Sequence, residues 1–493
     1  MRKTSLFIIS CFAILYSSAQ SSLVKEINRA NPPAQALAPL RFLASDELMG
    51  RGTTRHEIHV AARYIAEHFR SAGLKEVVGA SDYFQHFELR FIKPPTAGSF
   101  TVGSKSYQIG TELLQARGTD IKLTAPVIFA GFGSSSDLAN LEVKGKIVVV
   151  NMGENDSTAV NAAGRFREAK QRRLKEKGAL AMVERYWQPV SDWELPKRYL
   201  TAQRSLDTLD NLLPVFLLHD PSGELPNLLK TISTSEMNVT GSQLINIAAR
   251  NVMGWIEGTD AKLKNQFIVL SAHYDHVGVA ATPKMEEGKL DSVYNGARDN
   301  AIGVTAVLNA ARYFAQYPPK RSILFIAFTA EEMGLLGSKY FAGNPTIAME
   351  KIVYNLNIDN GGINDTSRVS IIGLGRTSAD DDMKKAAAAY GLIAGPDPAP
   401  EQNLFDRSDN VSFAAKGVPA PTYGMGVSKV DASIFKRYHQ LSDEIGDLDL
   451  AYILKYMNSY ILAAKYIADN PAQPRWKKGD KYEPAWEKLY SKP

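Results

Sequence analysis

Cysteine is almost missing from this chain: 493 residues contain one, Cys11. Beyond it, disulfides and thiolate metal sites are excluded, and any bound metal must use His, Asp and Glu. No apolar run reaches the roughly 18 residues that a membrane-spanning helix needs. Concentrated basic stretches are also lacking. The net charge of +5 is spread along the chain, which argues against nucleic acid as a partner. Lys170 to Lys177 (KQRRLKEK) is the densest basic segment and reads as a solvated helix face. Internal repeats and long low-complexity segments are absent. What remains is ordinary globular composition, 45% apolar and 22% charged, at a length that predicts two or three domains.

The first residues read as an export signal. Arg2 and Lys3 precede an apolar segment from Leu6 to Tyr16, and Ser17-Ser18-Ala19 supplies a cleavage site, giving a signal over residues 1–19. The mature protein is then periplasmic or secreted, with no integral membrane span. Ile8-Ile9-Ser10-Cys11 loosely mimics a lipoprotein box, but the apolar run before it is short, so anchoring at Cys11 ranks second.

A first part of the main domain, 28–119, opens with helices over Ala34 to Leu74, broken by SDELMGRGT at Ser45. His56 and His59 form HEIH, without the i, i+4 spacing of an HExxH zinc helix, and read as surface or packing residues. An insert follows over 120–241. It contains APVIFAGFG (Ala125 to Gly133), VKGKIVVVNMG (Val143 to Gly153), a basic helix and GALAMVE from Gly178. This arrangement resembles the protease-associated domain, a small β-rich insert of several peptidases. From 245 to 470 strands and helices alternate, and a tail, 471–493, is rich in Pro, Trp and Lys. The predicted fold is α/β, a mostly parallel sheet sandwiched by helices.

The organising stretch is RSILFIAFTAEEMGLLGS, Arg321 to Ser338. Its apolar run, Ile323 to Phe328, suits a strand buried on both faces of a parallel sheet. Glu331 and Glu332 stand at its exit, where such sheets bind ligands. Neighbours on an extended exit point in different directions, so the two carboxylates can do different jobs. Other donors fall in equivalent places: His273 and Asp275 past one strand, Asp359 past another, Asp299 at a predicted helix start, and His439 in a later loop. Two imidazoles with several carboxylates suit zinc. One donor from each of these five places exceeds the three that one catalytic zinc takes, which selects a two-metal site with one bridging carboxylate. Asp299, short and held at a helix start, is the favoured bridge.

The motifs HYD at His273, GARDNAIG at Gly296, EEMGLLGS at Glu331, SDNVSF at Ser408 and YHQLSD at Tyr438, with Asp359, come in a telling order. In that order they resemble the co-catalytic di-zinc aminopeptidases of the bacterial leucyl aminopeptidase type, related to glutamate carboxypeptidase II and the transferrin receptor. The resemblance implies two Zn2+ per chain, His273 and Asp359 on one, Glu332 and His439 on the other, and Asp299 on both. It implies that Asp275 accepts a hydrogen bond from His273, that Glu331 is the general base toward a water between the ions, and that Tyr438 donates to the developing oxyanion. Peptides with a free N-terminus are the implied substrates. A glutaminyl cyclase-like acyltransferase and a carboxypeptidase of the glutamate carboxypeptidase type, using Arg298 or Arg407, are the alternatives. Asn360, Asn410 and Ile302 depart from the commoner residues at their positions, and Val279 to Asn295 reads as a long loop at the cleft rim.

Overall fold

The computed structural model describes residues 20–77, 81–158, 163–187, 193, 203–206, 213–286 and 288–491. The expected signal over 1–19, with Cys11, lies outside the described residues. The chain forms two compact units, one from Met1–Phe87 with Ala248–Pro493 and the other from Glu88–Ile247. Among the described residues no helix is long and apolar enough to cross a membrane.

The first unit is built on one sheet. Its strands in chain order are β1 (Gln243–Ile256, in this unit from Ala248), β2 (Phe267–His273), β3 (Ser322–Phe328), β4 (Ile352–Ile358), β5 (Arg368–Ile372), β6 (Ile393–Gly395) and β7 (Thr422–Met425). They lie side by side as β6-β5-β7-β4-β2-β3-β1. β2 runs parallel to both β3 and β4, and β4 parallel to β7, whereas β1 and β5 are antiparallel to their inner neighbours. The centre is therefore parallel as expected, and antiparallel pairing is confined to the flanks.

The period-2 alternation of side chains explains why every residue of β3 is buried. Ile323, Phe325 and Ala327 enter one core with the helices α1 (Pro33–Leu43), α2 (Glu57–Ser71), α3 (Ile302–Gln316), α5 (Asp380–Ala389) and α7 (Leu450–Asp469). Leu324, Ile326 and Phe328 enter the other with α4 (Leu336–Gly343) and α6 (Asn410–Ala414), through Phe341 and Phe413. Each buried side chain of this kind contributes about 1.5–3 kcal/mol. Parallel strands buried on both faces all finish at one edge, and that edge collects their exit residues.

Three local expectations are corrected. The helix predicted from Asp299 starts at Ile302. Asp299 and Asn300 are non-helical (φ −113°, ψ 93° and φ −135°, ψ 39°), and neither caps the helix. Asp299 takes an extended conformation because its carboxylate faces two histidines, described below, instead of free helix N–H groups. Val279 to Asn295 is a hairpin, Gly278–Glu286 paired with Lys289–Tyr294, turning near Gly288. In the basic helix (Gly164–Glu176) Lys170 is not solvated: its ammonium is buried against Glu184 at 3.2 Å and the Asn151 carbonyl at 2.6 Å.

The second unit has its own mixed sheet, whose centre runs Ile121–Phe129, Ile147–Asn151, Ala181–Tyr186, Val215–His219 in parallel. Ala97–Val102 pairs antiparallel with Thr234–Thr240 along its whole length. The unit thus begins ahead of residue 120, where the sequence had placed the start of the insert.

Candidate metal centre

His273 is the last residue of β2, and Glu331 and Glu332 follow β3 by a short turn. Asp359 directly follows β4. Parallel pairing of these three strands brings their exits together. Asp299 arrives from the segment before α3, and His439 from a turn in which it adopts φ 54°. Side-chain donor atoms of His273, Asp299, Glu332, Asp359 and His439 converge from regions up to 166 positions apart in sequence.

The atoms form two clusters that share one carboxylate. His273 Nε2 lies 3.2 Å from Asp299 Oδ1 and 3.2 Å from Asp359 Oδ1. His439 Nε2 lies 3.2 Å from Asp299 Oδ2 and 3.2 Å from Glu332 Oε1. The two oxygens of Asp299 therefore serve opposite clusters. Tetrahedral zinc with bonds of about 2.0–2.1 Å sets its donors roughly 3.3 Å apart, so the spacing, the donor types and the lack of thiols all fit this ion. Within each cluster the donor atoms lie within 4.8 Å of one another.

His276 joins the second cluster and was not singled out in the sequence. Its Nδ1 is 2.8 Å from Glu332 Oε1 and 3.9 Å from Asp299 Oδ2. The shorter distance is that of a hydrogen bond, so His276 holds Glu332 in orientation. The signal was its place in HYDH, three residues after His273.

Asp275 contacts His273 through its main chain: His273 Nδ1 is 3.1 Å from the Asp275 carbonyl and 3.9 Å from the carboxylate. The carboxylate instead accepts from Thr53 Oγ1 (3.0 Å), Glu331 N (3.1 Å) and Glu332 N (3.3 Å). It thereby fixes the turn that aims both glutamates.

Arg51, from SDELMGRGT, is the second residue that sequence reasoning passed over. It is 1% exposed. Its guanidinium donates to the carbonyls of Leu43, Tyr274, Asn295 and Gly296, lacing the segment after β2 to the one before Asp299. Two glycines of GARDNAIG allow the close packing there. A Cβ at Gly296 (φ 56°) would stand 2.3 Å from the Asp299 carbonyl, and one at Gly303 2.2 Å from Asn300 Oδ1. The departures at Asn360 and Asn410 also have structural uses. Asn360 Nδ2 donates to Asn300 Oδ1, and its Oδ1 accepts from Met425 N and Tyr456 Oη. Asn410 donates to the carbonyls of Phe405 and Ala420. Ile302 lies fully buried at the start of α3.

The electrostatics register a demand for positive charge. Burial lowers the His439 pKa, but Asp299 and Glu332 more than reverse this and raise it to about 10. Burial and Asp299 push the Glu332 carboxyl up, and hydrogen bonds from His276 and His439 overcome them to hold it at about 2. Glu331 behaves oppositely. Burial drives its carboxyl well above the ordinary range, with Asp359, Asp409 and Glu332 adding to the rise. Asp409 itself is fully buried and pushed up to about 7, chiefly by burial. Two adjacent carboxylates with opposed shifts is the pattern of one ligand and one base.

A cavity opens at this edge, lined by His273, Asp299, Glu331, Asp359, Tyr438 and His439 on one side. Leu404, Arg407, Ile434 and Phe435 line it as well. The Tyr438 ring stacks on His439 with centroids 4.0 Å apart. Arg298 is not available to a ligand: it is paired with Asp443 at 2.9 Å and Asp447 at 2.7 Å.

An α/β sheet whose strand exits bring together two His–carboxylate clusters through one shared aspartate defines a class of metal-binding proteins. Residues 251–463 match the model of Peptidase family M28. Among curated proteins, Aminopeptidase YwaD of Bacillus subtilis is 26% identical over 48% of this chain and 44% of its own length. A probable zinc metalloprotease of Pyrenophora tritici-repentis is 44% identical over 13% of this chain and 15% of its own. The matched stretch thus spans less than half the length of these relatives. An aminopeptidase from Aneurinibacillus sp. strain AM-1 has the same fold, with a TM-score of 0.55 at 21% identity, covering 93% of this chain and 98% of that one.

Proposed function

We propose that this chain is an exported zinc-dependent exopeptidase that removes the N-terminal residue of peptides, with two Zn2+ per chain. The observation that carries this reading is the shared Asp299 between two donor clusters, with the raised Glu331 carboxyl beside them in the same cavity. The family match and the name of the Bacillus subtilis relative support the reaction class.

His273 and Asp359 would hold one ion, Glu332 and His439 the other, and Asp299 both. When bound, the ions would polarise the scissile carbonyl and make water more acidic. Glu331, which has no place among the donor clusters, accepts the proton of the attacking water and returns it to the departing amine. Tyr438 donates its hydroxyl toward the oxygen that gains charge, a contribution of about 2.7–4 kcal/mol when well placed. Asp275 keeps Glu331 and Glu332 on their separate tasks by holding both main-chain N–H groups.

The test uses the purified full chain with aminoacyl-arylamides and their N-acetylated counterparts, with and without chelator. Free-amine substrates should be cleaved, cleavage should stop on chelation, and zinc should restore it. Glu331→Gln should keep both ions by elemental analysis and lose at least about 100-fold in kcat. Acetylated substrates cleaved as fast as free amines would overturn the exopeptidase. One zinc per chain together with cyclisation of N-terminal glutamine would favour the acyltransferase.

A further inference from the structure

Among the described residues, none of the tail lines the cavity, yet the tail holds one of its walls. Trp476 is 2% exposed, pairs with Thr377 in an antiparallel bridge, and donates its Nε1 to the Gly417 carbonyl at 3.0 Å. Next to it the Arg376 guanidinium donates to both oxygens of Asp480, at 2.7 and 3.0 Å. A paired bond of this kind fixes direction as well as distance. The whole tail lies past the stretch matched by the family model.

The wall is a single tight turn, Leu404–Arg407. At about three residues per turn, Leu404 and Arg407 share the face toward the cavity, which both line. Phe405 and Asp406 face the tail instead. The Phe405 ring is buried, with its centroid 6.1 Å from that of Trp476 and 5.9 Å from that of Tyr482. The Arg376 guanidinium stands over the rings of Phe405, Trp476 and Tyr482 at 4.0, 5.3 and 5.5 Å. Asp406 accepts from Lys481 Nζ at 2.6 Å and from the Tyr482 hydroxyl at 3.0 Å. The Lys481 side chain is half exposed, so its ion pair contributes little. The rings add aromatic and cation–π attraction to their buried area and carry most of the attachment. Tyr482 touches both anchors, Phe405 with its ring and Asp406 with its hydroxyl.

We propose that Tyr482 is a positioning residue that sets substrate preference: it holds Phe405 and Asp406 so that Leu404 stands where a substrate side chain ends. This inference rests on the exopeptidase reading above and deepens it. The neighbouring wall, Ile372, Ile434 and Phe435, is apolar. An apolar side chain long enough to reach Leu404 gains buried area from a fixed wall, and a methyl group gains little.

The experiment measures kcat and KM of wild type, Tyr482→Ala, Tyr482→Phe and Asp480→Asn on leucyl- and alanyl-arylamide, with zinc content by elemental analysis. In Tyr482→Ala the ratio of kcat/KM values, leucyl over alanyl, should fall about 10-fold, the low end of what an apolar pocket discriminates per methylene. The change should appear in KM rather than kcat, with zinc content unchanged. Tyr482→Phe keeps the ring and should keep most of the ratio. Because the readout is a ratio, a fraction of misfolded variant lowers both members equally and leaves it unchanged. Should Tyr482→Ala fail to fold, Asp480→Asn decides: it loosens Arg376 without removing a ring and should shift the ratio in the same direction. An unchanged ratio in every folded variant, or an equal loss on both substrates, would overturn the inference while zinc-dependent cleavage persists. Failure of wild type to cleave any free-amine substrate would instead overturn the exopeptidase reading.

Discussion

The guanidinium of Arg51 shows how one side chain can govern a site it does not enter. Its four hydrogen bonds serve carbonyls that belong to three separate segments, all buried. Replacing it by alanine takes this partner from the carbonyls of Leu43, Tyr274 and Asn295, each at about 1–3 kcal/mol. Arg51→Ala should lower unfolding free energy by about 3 kcal/mol or more in urea titrations, and Arg51→Lys should recover little, since one ammonium cannot span the fork. Arg51 was invisible in the sequence because a buried arginine is written like a surface one. The five candidate donors were legible for the opposite reason: each follows a recognisable strand or lies in a recognisable motif. His276 fell between the two, since its neighbour His273 already met the ligand pattern and nothing in HYDH says which imidazole faces Glu332. Asp299 was picked out as a bridge, but its setting was misjudged. The sequence cannot distinguish an aspartate that caps a helix from one that stands extended one turn earlier with its oxygens turned to separate partners.

Among elements, the strands were read best and their flanking loops worst. β3 announced itself by its unbroken apolar run, and its two-faced burial follows from parallel neighbours. The stretch after His276 alternates weakly, so its pairing into a hairpin escaped notice, although Gly288 marks the turn. In the second unit, the basic helix reads as a wet surface from its charges alone, because a sequence shows charges without their partners. Glu184, fully buried on the strand Ala181–Tyr186, accepts from Arg167 at 2.7 Å and Lys170 at 3.2 Å. Removing it strands Lys170 in the interior. Glu184→Ala should therefore destabilise the second unit by about 3–5 kcal/mol, far more than loss of a surface ion pair. Thermal unfolding of the full chain, followed by hydrogen exchange resolved to this unit, would measure it.

For the whole molecule, the arrangement of the candidate metal donors would link stability to occupancy. Glu332, Asp359, Asp299 and Glu331 crowd one edge, faced by the imidazoles of His273, His276 and His439. An ion that binds only the folded chain adds RT ln(1 + [L]/Kd), about 2.7 kcal/mol at a hundredfold excess over Kd. Adding zinc to the metal-stripped protein should raise Tm by several degrees, and chelation should reverse the rise. A Tm indifferent to zinc would mean that the donors do not bind it. The parallel centre and the shared edge could be anticipated, because strands alternating with helices become parallel neighbours whose exits lie together. The extent of the second unit could not, because Ala97–Val102 joins its sheet by pairing with residues some 140 positions later.

The clasp made by Arg51 bears on how this protein can be dissected. Residues 251–463 hold every candidate zinc donor, and an expression plasmid trimmed to them would look sufficient on paper. Such a truncate would lack the residue-51 fastener and the Thr53 hydroxyl on Asp275. It would carry all the candidate metal-binding groups without the two contacts that fasten the turns bearing them, and should be recovered as an inactive, poorly folded polypeptide.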